Sequence, residues 1–149
     1  MEEIKYKKLV EHAFIPAKTN TGDAGYNIRA IERTIIRPYS LGKIRTGLAV
    51  MVPDGFELQI RGKTSMALDK GLAIAQGVGT IDGTFRDEII VLLRNIQPVS
   101  KIVEAGDPIA QFVLNKVPEV EWKEVKNLEL VKERNPSTKK EEMKSKEIK

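Results

Sequence analysis

Apolar and polar residues alternate in short runs along this chain, and turns rich in glycine, proline, asparagine and aspartate separate the runs. Because successive side chains of a strand point to opposite faces, such alternation indicates strands with one buried face. Residues 63–70 instead predict a helical turn. The predicted strands cover residues 4–12, 26–30, 34–37, 43–52, 56–61, 72–75, 77–81, 85–93, 109–114 and 120–131, and residues 98–106 are predicted to form a further short strand and a turn.

This number and spacing of strands indicate the fold class. About ten short strands with turn signals every 8 to 12 residues are typical of an all-β barrel or sandwich, and we predict a jelly-roll-like β-barrel. The chain has 149 residues, 41% of them apolar, which suits one domain with its own core. We assign the barrel to residues 1–132. Because residues 133–149 are dominated by charged side chains, we expect them to form a disordered tail.

Residues 77–95, GVGTIDGTFRDEIIVLLRN, contain a strong tight-turn signal, Asp82-Gly83. Glycine tolerates positive φ in such a turn, so we predict a hairpin between residues 77–81 and 85–93. The Asp82 carboxylate would lie at its tip. The glycines of this segment leave backbone N–H and C=O groups accessible, so a flat ligand could pair with the main chain beside an acid.

Composition excludes several kinds of chemistry. The chain has no cysteine, which excludes disulfides and thiolate zinc sites, and a reducing compartment is permitted. Its single histidine, His12, argues against a His-based metal site or a Ser-His-Asp triad. Catalysis would have to use carboxylates, lysines, arginines, hydroxyls or a borrowed cation.

Neither a membrane nor a nucleic acid is expected as a partner. No apolar run approaches the roughly 20 residues that span a bilayer, and the start MEEIKYKK is not a signal peptide. We therefore expect a soluble intracellular protein, cytoplasmic by default. Residues 132–149, with seven Lys/Arg and four Asp/Glu, contribute +3 of the net charge of +4. Aromatic residues make up only 5% of the chain, and they are not interleaved with a basic stripe.

A second candidate site is the loop Gly62-Lys63-Thr64-Ser65. It combines a cation, two hydroxyls and backbone N–H groups at the start of a predicted helical turn, which are the contents of an anion site. The loop lacks the GxxxxGK spacing of a P-loop, and taken alone it also fits an ordinary surface turn.

Four polar loops, taken together and in order, resemble the motifs of the trimeric dUTP pyrophosphatase (dUTPase) family. The similar segments are AGYNI at 24–28, GKTSMA at 62–67, GTIDGTFR at 79–86 and GDPIAQ at 106–111. The resemblance covers roughly residues 18–114. It implies a jelly-roll homotrimer whose active sites are shared between subunits, and the hydrolysis of dUTP to dUMP and pyrophosphate.

The resemblance also implies roles for individual residues. Asp82 matches a carboxylate that contacts the 3′-hydroxyl and activates the attacking water, a role that suits an acid on a rigid turn. Gln111 matches a glutamine near the α-phosphate, and Ser65 would donate to the oxygen of the leaving group. The other substrate-binding residues are Lys63 and Thr64 for the phosphates, Gly79, Thr80 and Ile81 for uracil through the main chain, Phe85 for stacking on deoxyribose, and Arg86. Lys63 stands where the family has an arginine, and the nearby Arg61 is an alternative cation for the phosphates. Each of these residues taken alone also fits a structural role: Asp82 in a turn, Phe85 in the core and Gln111 at a strand start.

Magnesium is the cofactor that the resemblance implies, brought by the triphosphate and surrounded largely by water. We therefore assign no direct protein ligand. Asn27 stands where the family has an aspartate near the metal's water shell, and an amide cannot supply that charge. Weaker recruitment of the metal, or replacement of the aspartate by Asp23, would both fit.

Two other functions remain open because the chain departs from the family pattern. Residues 132–149 lack the glycines and the aromatic residue of the family's closing arm, which predicts reduced catalytic efficiency or a different lid. The alternative function is therefore a catalytically weak or inactive dUTPase-like trimer that acts as a protein-interaction or regulatory module and could bind a protein partner through its tail. A third hypothesis is the related dCTP deaminase class, for which Glu88 is the only nearby pocket glutamate and a poor candidate.

Overall fold

Eleven β-strands and one short π-helical turn, Met66–Lys70, make up the regular structure of residues 1–131, the part of the chain that the computed structural model describes. The prediction of an all-β fold is confirmed, and so is the helical turn within residues 63–70. The strands are β1 (Lys5–Lys8), β2 (Tyr26–Arg29), β3 (Thr34–Ile36), β4 (Leu41–Arg45), β5 (Leu48–Met51), β6 (Phe56–Arg61), β7 (Leu72–Ile74), β8 (Gly79–Ile81), β9 (Ile90–Asn95), β10 (Lys101–Val103) and β11 (Pro108–Lys116).

Antiparallel pairing joins these strands into four sheets. The largest has the order β2-β11-β6-β8, the next has the order β4-β9-β7, and β1 with β5 and β3 with β10 form two-stranded sheets. The longest strand, β11, pairs with β2 on one side and with β6 on the other. Alternate apolar side chains of the strands point inward and form the main core, and Ala13, Ile31 and Leu48 form a second, smaller cluster. Its most deeply buried members include Ile28, Ile44, Leu58, Val91, Leu93 and Ile109.

Contacts within the chain define a compact unit, Met1–Glu119, which contains all eleven strands. Residues 120–131 belong to a second unit and form neither helix nor strand, so the strand predicted there was wrong. Alternation shows which side chains a strand would bury, but a strand also requires a backbone partner. The predicted tail, residues 133–149, lies outside the described residues. No helix within residues 1–131 is long and apolar enough to cross a membrane.

The single strand predicted over residues 43–52 was also wrong, because two strands occupy this region. The break between β4 and β5 lies at Gly47, whose φ of 67° is in the left-handed region. A Cβ atom at this position would lie 2.7 Å from a methyl group of Val10. Backbone conformation and close packing therefore both require glycine here.

The hairpin predicted around Asp82-Gly83 was wrong, although the turn itself is present. The Phe85 N–H donates a hydrogen bond to the Asp82 carbonyl at 3.1 Å. The flanking strands pair elsewhere, however: β8 with β6, and β9 with β4 and β7. A turn reverses the direction of the chain, but burial and long-range pairing select the partner strand. The turn therefore carries the chain from one sheet to another.

A hydrogen-bonded cluster around Glu88 holds the chain where it enters the second sheet. The Arg45 guanidinium donates to the Glu88 carboxylate at 3.1 Å from both Nε and Nη2, and the Gly47 N–H donates to it at 3.2 Å. The buried Thr46 hydroxyl donates to the Ile89 carbonyl at 2.7 Å. The hydrogen bond from Arg45, the largest cause, holds the pKa of the Glu88 carboxyl below its ordinary value of 4.5 although partial burial opposes this.

We predict that Glu88→Gln lowers the free energy of unfolding near neutral pH by about 2 kcal/mol, because it removes the charge from two partly buried hydrogen bonds. A carboxyl with a lowered pKa stabilises the fold fully above its ordinary pKa of 4.5, and this contribution is lost as the pH falls through the lower folded value. The variant should therefore lose less stability on acidification than the wild type. Urea unfolding at several pH values measures both effects.

Glu104→Gln is the matched control for this variant. It removes an ion pair with Arg33 in which both side chains are more than half exposed, and such pairs contribute little. If Glu88→Gln and Glu104→Gln have the same free energy of unfolding, the assignment of Glu88 as the stabilising carboxylate is contradicted.

Candidate active site

A row of polar side chains crosses one end of the four-stranded sheet. Asn27 on β2 lies opposite Gln111 on β11, and Gln111 lies opposite Arg61 at the end of β6. Residues in register on neighbouring strands point to the same face of a sheet. All three side chains are half-buried, whereas the adjacent Ile28, Ile60 and Phe112 are buried in the core. The row therefore lies on the face of the sheet away from the core.

Two carboxamides of this row hold the turn that follows β6. Gln111 Nε2 donates to the Gly62 carbonyl at 3.0 Å, and Lys63 Nζ donates to Asn27 Oδ1 at 2.6 Å. The Lys63 carbonyl in turn accepts the N–H groups of Met66 and Ala67. Three of the predicted site residues, Asn27, Lys63 and Gln111, are therefore brought together.

Thr64 and Ser65 lie at the start of the π-helical turn, and both are exposed. The Ser65 side chain makes no capping hydrogen bond. Its hydroxyl and that of Thr64 are therefore available next to the Lys63 ammonium, as an anion site requires.

Asn27 is itself fixed by the first polar loop. Its backbone N–H donates to the Ala17 carbonyl at 2.8 Å, and its Nδ2 donates to Thr19 Oγ1 at 3.0 Å. Asp23 lies in the same loop, where its Oδ2 accepts the Asn20 N–H at 2.9 Å. The loop is thus closed by Asp23 and tied to the sheet by Asn27.

The loop before β11 is held by Asp107, which the sequence analysis did not count as a site residue. Its carboxylate accepts the Glu104 N–H at 2.9 Å and an Nζ proton of Lys70 at 3.1 Å. Burial raises the pKa of this carboxyl, but the Glu104 N–H and the Lys70 ammonium outweigh burial and leave the pKa lowered. Asp107 therefore has a structural role at the entry of the strand that carries Gln111.

The remaining predicted site residues form a second group at the other end of β6. In the β6–β8 pairing, Gly79 lies opposite Ile60 and Ile81 lies opposite Leu58, so the chain continues into Asp82 away from the Gly62 turn. Asp82 is exposed, as are Thr80 and Phe85. The backbone of residues 79–81 is thus extended along a sheet edge with a carboxylate beside it.

Arg86 and Gly79 have structural partners within this second group. Arg86 Nη1 donates to the carbonyls of Gly83 at 2.7 Å and Phe85 at 2.9 Å, which stabilises the turn around Asp82. A Cβ atom at Gly79 would lie 2.9 Å from the Ile60 Cβ, so close packing against β6 already requires glycine there.

The two groups do not meet within one chain. Arg61, in the Gln111 row, and Leu58, opposite Ile81, are three residues apart on β6, which corresponds to about 10 Å along the strand. The Asp82 turn lies beyond Leu58, near the backbone of Val52. One chain therefore presents two separate half-sites, one with Lys63 and one with Asp82.

Comparison with known proteins identifies the family of this chain. The sequence model of the dUTPase family matches residues 11–139, most of the chain. The chain belongs to the dUTPase family. The predicted family is thereby confirmed.

Relatives of this dUTPase-family chain share about a third of its residues. It is 34% identical over 127 residues to the deoxyuridine 5′-triphosphate nucleotidohydrolase of Helicobacter pylori strain J99, a match that covers 85% of this chain and 88% of the relative. It is 38% identical over 125 residues to the enzyme of the same name from Helicobacter hepaticus, covering 84% and 79% of the two chains.

Solved dUTPase structures share the fold of this chain. The dUTPase G164S mutant of Staphylococcus bacteriophage 80alpha with dUpNHpp matches with a TM-score of 0.82 at 23% identity, over 91% of this chain and 95% of that one. The D95N mutant of the dUTPase from phage phi11 of S. aureus, which coordinates a structural Mg(II) ion, matches with a TM-score of 0.79 at 21% identity, over 87% and 100%. The predicted jelly-roll-like fold is confirmed.

Gly25, within the first dUTPase-like motif, has a steric role that the sequence analysis missed. A Cβ atom at this buried position would lie 2.1 Å from Gln111 Oε1 and 2.9 Å from its Cδ. Only glycine leaves room for the Gln111 side chain in the orientation that reaches Gly62. The sequence shows a glycine at position 25, but the side chain that requires it, Gln111, lies 86 residues further along the chain.

We predict that Gly25→Ala displaces the Gln111 side chain from the Gly62 carbonyl and lowers the free energy of unfolding by about 1–3 kcal/mol through overpacking. Urea unfolding measures the energy, and a crystal structure of the variant shows the side chain. Gly22→Ala is the control, because nothing lies within 4 Å of a Cβ atom there. If the two alanine variants unfold alike and Gln111 stays on Gly62, the steric role is contradicted.

Proposed function

We propose that this protein hydrolyses dUTP to dUMP and pyrophosphate by attack of a water molecule on the α-phosphorus. The enzyme class, dUTP diphosphatase, follows from the family and from relatives that carry that activity in their names over most of their length. The observation that carries the proposal is the pair of half-sites, because a fixed cation on one and an exposed carboxylate on the other are what triphosphate hydrolysis needs.

The Lys63 half-site would bind the triphosphate. The Lys63 ammonium is fixed at 2.6 Å from Asn27 and can attract the phosphate charge, while the hydroxyls of Thr64 and Ser65 can donate to phosphate oxygens. Ser65 would stabilise the bridging oxygen that leaves with pyrophosphate. Gln111, already bound to the Gly62 carbonyl, would position the α-phosphate and the water.

The Asp82 half-site would bind the nucleoside and activate the water. The backbone of Gly79, Thr80 and Ile81 offers N–H and C=O groups to uracil, and the exposed ring of Phe85 offers a face to deoxyribose. The Asp82 carboxylate would accept a proton from the water while the water oxygen forms a bond to the α-phosphorus. The bond from the α-phosphorus to the bridging oxygen breaks at the same time, and that oxygen leaves with pyrophosphate. Arg86 would support this arrangement by holding the turn.

Magnesium suits the Lys63 half-site as a hydrated ion carried by the triphosphate. Among residues 1–131, no three His, Cys, Asp or Glu side chains are grouped closely enough to hold a metal ion directly. Asn27 Oδ1 accepts from Lys63, which leaves Asp23 as the carboxylate of that loop that could accept hydrogen bonds from metal-bound water. When bound, the ion would neutralise part of the phosphate charge.

A homotrimer with shared active sites explains why one chain holds two separate half-sites. In such a trimer, threefold symmetry would bring the Asp82 turn of each subunit to the Lys63 turn of the next, so that the three subunits close into a ring. Each interface would then complete one active site. The separation of Ile81 and Gln111 along β6 supports this assembly.

The dCTP deaminase hypothesis loses its candidate residue. Glu88 is bound to Arg45 and Gly47 and is partly buried, so its carboxylate has a structural role. The other alternative is a catalytically weak or inactive trimer that acts as a protein-interaction or regulatory module. The tail through which it could bind a partner, residues 133–149, lies outside the described part of the chain.

We predict that Asp82→Asn lowers kcat for dUTP by about 10²–10⁴-fold, because the amide keeps the shape of the side chain but cannot accept the proton of the water. Pyrophosphate release from dUTP, dCTP, dTTP and UTP with magnesium measures both turnover and base selectivity. Asp54→Asn, which removes a charge from an exposed turn, is the control. Full turnover in the Asp82 variant would exclude Asp82 as the base, and no turnover by the folded wild type would exclude the enzyme.

A further inference from the structure

Two cations flank Gly62, and each is held by a neutral carboxamide. Lys63 Nζ donates to Asn27 Oδ1 at 2.6 Å, and Arg61 Nε donates to Gln59 Oε1 at 2.9 Å. Both cationic side chains are half-buried. Within residues 1–131, neither of them forms an ion pair with a carboxylate. Partly buried cations in proteins are usually paired with an acid, so this arrangement requires an explanation.

An amide oxygen fixes a cation without neutralising it. Lysine and arginine side chains only donate hydrogen bonds, so the oxygens of Asn27 and Gln59 must face them. The Thr19 hydroxyl accepts from the Asn27 Nδ2, which keeps Oδ1 turned towards Lys63. A carboxylate in either place would satisfy the same geometry but cancel the positive charge. The amides therefore leave two positive charges available to an anion.

The free donors of the two cations are on the same face of the sheet. Arg61 is in register with Gln111, and Gln111 is in register with Asn27, the partner of Lys63. The Nη groups of Arg61 make no hydrogen bond within residues 1–131, and Lys63 uses one of its three N–H donors. The arginine fork and the lysine ammonium together match the several oxygens of a polyphosphate.

We propose that Arg61 is a second triphosphate-binding residue beside Lys63, and that Gln59 and Asn27 are positioning residues that keep both cations unneutralised. This inference rests on the proposed function, because it takes the triphosphate of dUTP as the anion. It assigns to Asn27 a role that an aspartate could not fill, since an aspartate at 2.6 Å would form an ion pair with Lys63.

The test uses nearly isosteric substitutions that change charge alone. We expect Asn27→Asp and Gln59→Glu each to weaken the binding of inorganic tripolyphosphate by about tenfold and to reduce its dependence on salt concentration. Asn115→Asp is the matched control: it adds the same charge to the same strand as Gln111, four residues away, or about 13 Å. Titration calorimetry on the full chain gives the affinities.

Arg61→Met and Lys63→Met separate the two cations. Each should weaken tripolyphosphate binding by about tenfold, and Gln59→Glu should have little further effect once Arg61 is removed. In dUTP turnover, Asn27→Asp and Gln59→Glu should raise KM much more than they lower kcat, a pattern that a loss of fold would not give.

The inference would be overturned if Asn27→Asp and Gln59→Glu bound tripolyphosphate as tightly as Asn115→Asp does. Wild-type affinity for tripolyphosphate in the Arg61→Met variant would also overturn it. A wild-type protein that binds tripolyphosphate in this charge-dependent way but does not hydrolyse dUTP would support the cation pair and contradict the proposed function. If the protein hydrolyses dUTP but none of the four variants changes tripolyphosphate binding or turnover, the proposed function would be supported and the cation pair contradicted.

Discussion

The pairing register of β11 is the constraint on which the rest of the structure depends. This strand is hydrogen-bonded to β2 along one edge and to β6 along the other, so one alignment fixes three strands. It turns Phe112 into the core and Gln111 to the opposite face, between Asn27 and Arg61. A slip of one residue would exchange the two faces and expose the apolar set, which makes this register strongly preferred.

The same register explains why the chemistry is divided. β6 connects the two halves, with the Gly62 turn at its end and the Asp82 turn near its start. Each turn is stabilised by its own contacts, from Gln111 and Asn27 on one side and from Arg86 on the other. A rigid sheet keeps these turns apart, and in the proposed trimer a second subunit brings the carboxylate to the proposed phosphate site. Rigidity and an incomplete site are thus two consequences of one sheet.

Sequence patterns predicted the local features of this protein and missed those set by distant partners. The strand over residues 56–61 was predicted to the residue, because its alternation is clear and its ends are marked by glycines. The hairpin around Asp82 failed, because the partners of β8 and β9 are chosen by burial in two different sheets. The break at Gly47 was missed, because only its packing against Val10 shows that this glycine interrupts a strand.

The candidate site follows the same division. Lys63, Asp82 and Gln111 were recognisable as members of ordered motifs, which is why they could be named from the sequence. The contact of Lys63 with Asn27 joins residues 36 positions apart, and no local pattern indicates it. Arg61 was recognisable as a cation next to the Lys63 loop, whereas Gln59 was visible only as an outward position of a strand. Their pairing emerged from the side-chain geometry.

The most direct test of a shared site mixes two impaired variants. Subunits carrying Asp82→Asn and subunits carrying Lys63→Met, unfolded together and refolded in equal amounts, form mixed assemblies if the site is shared. Random mixing should then restore about one quarter of the wild-type dUTP hydrolysis, because each intact half-site is supplied by half of the subunits. Activity no greater than the average of the separately refolded variants, in assemblies shown to contain both, would mean that each site lies within one chain and would contradict the account.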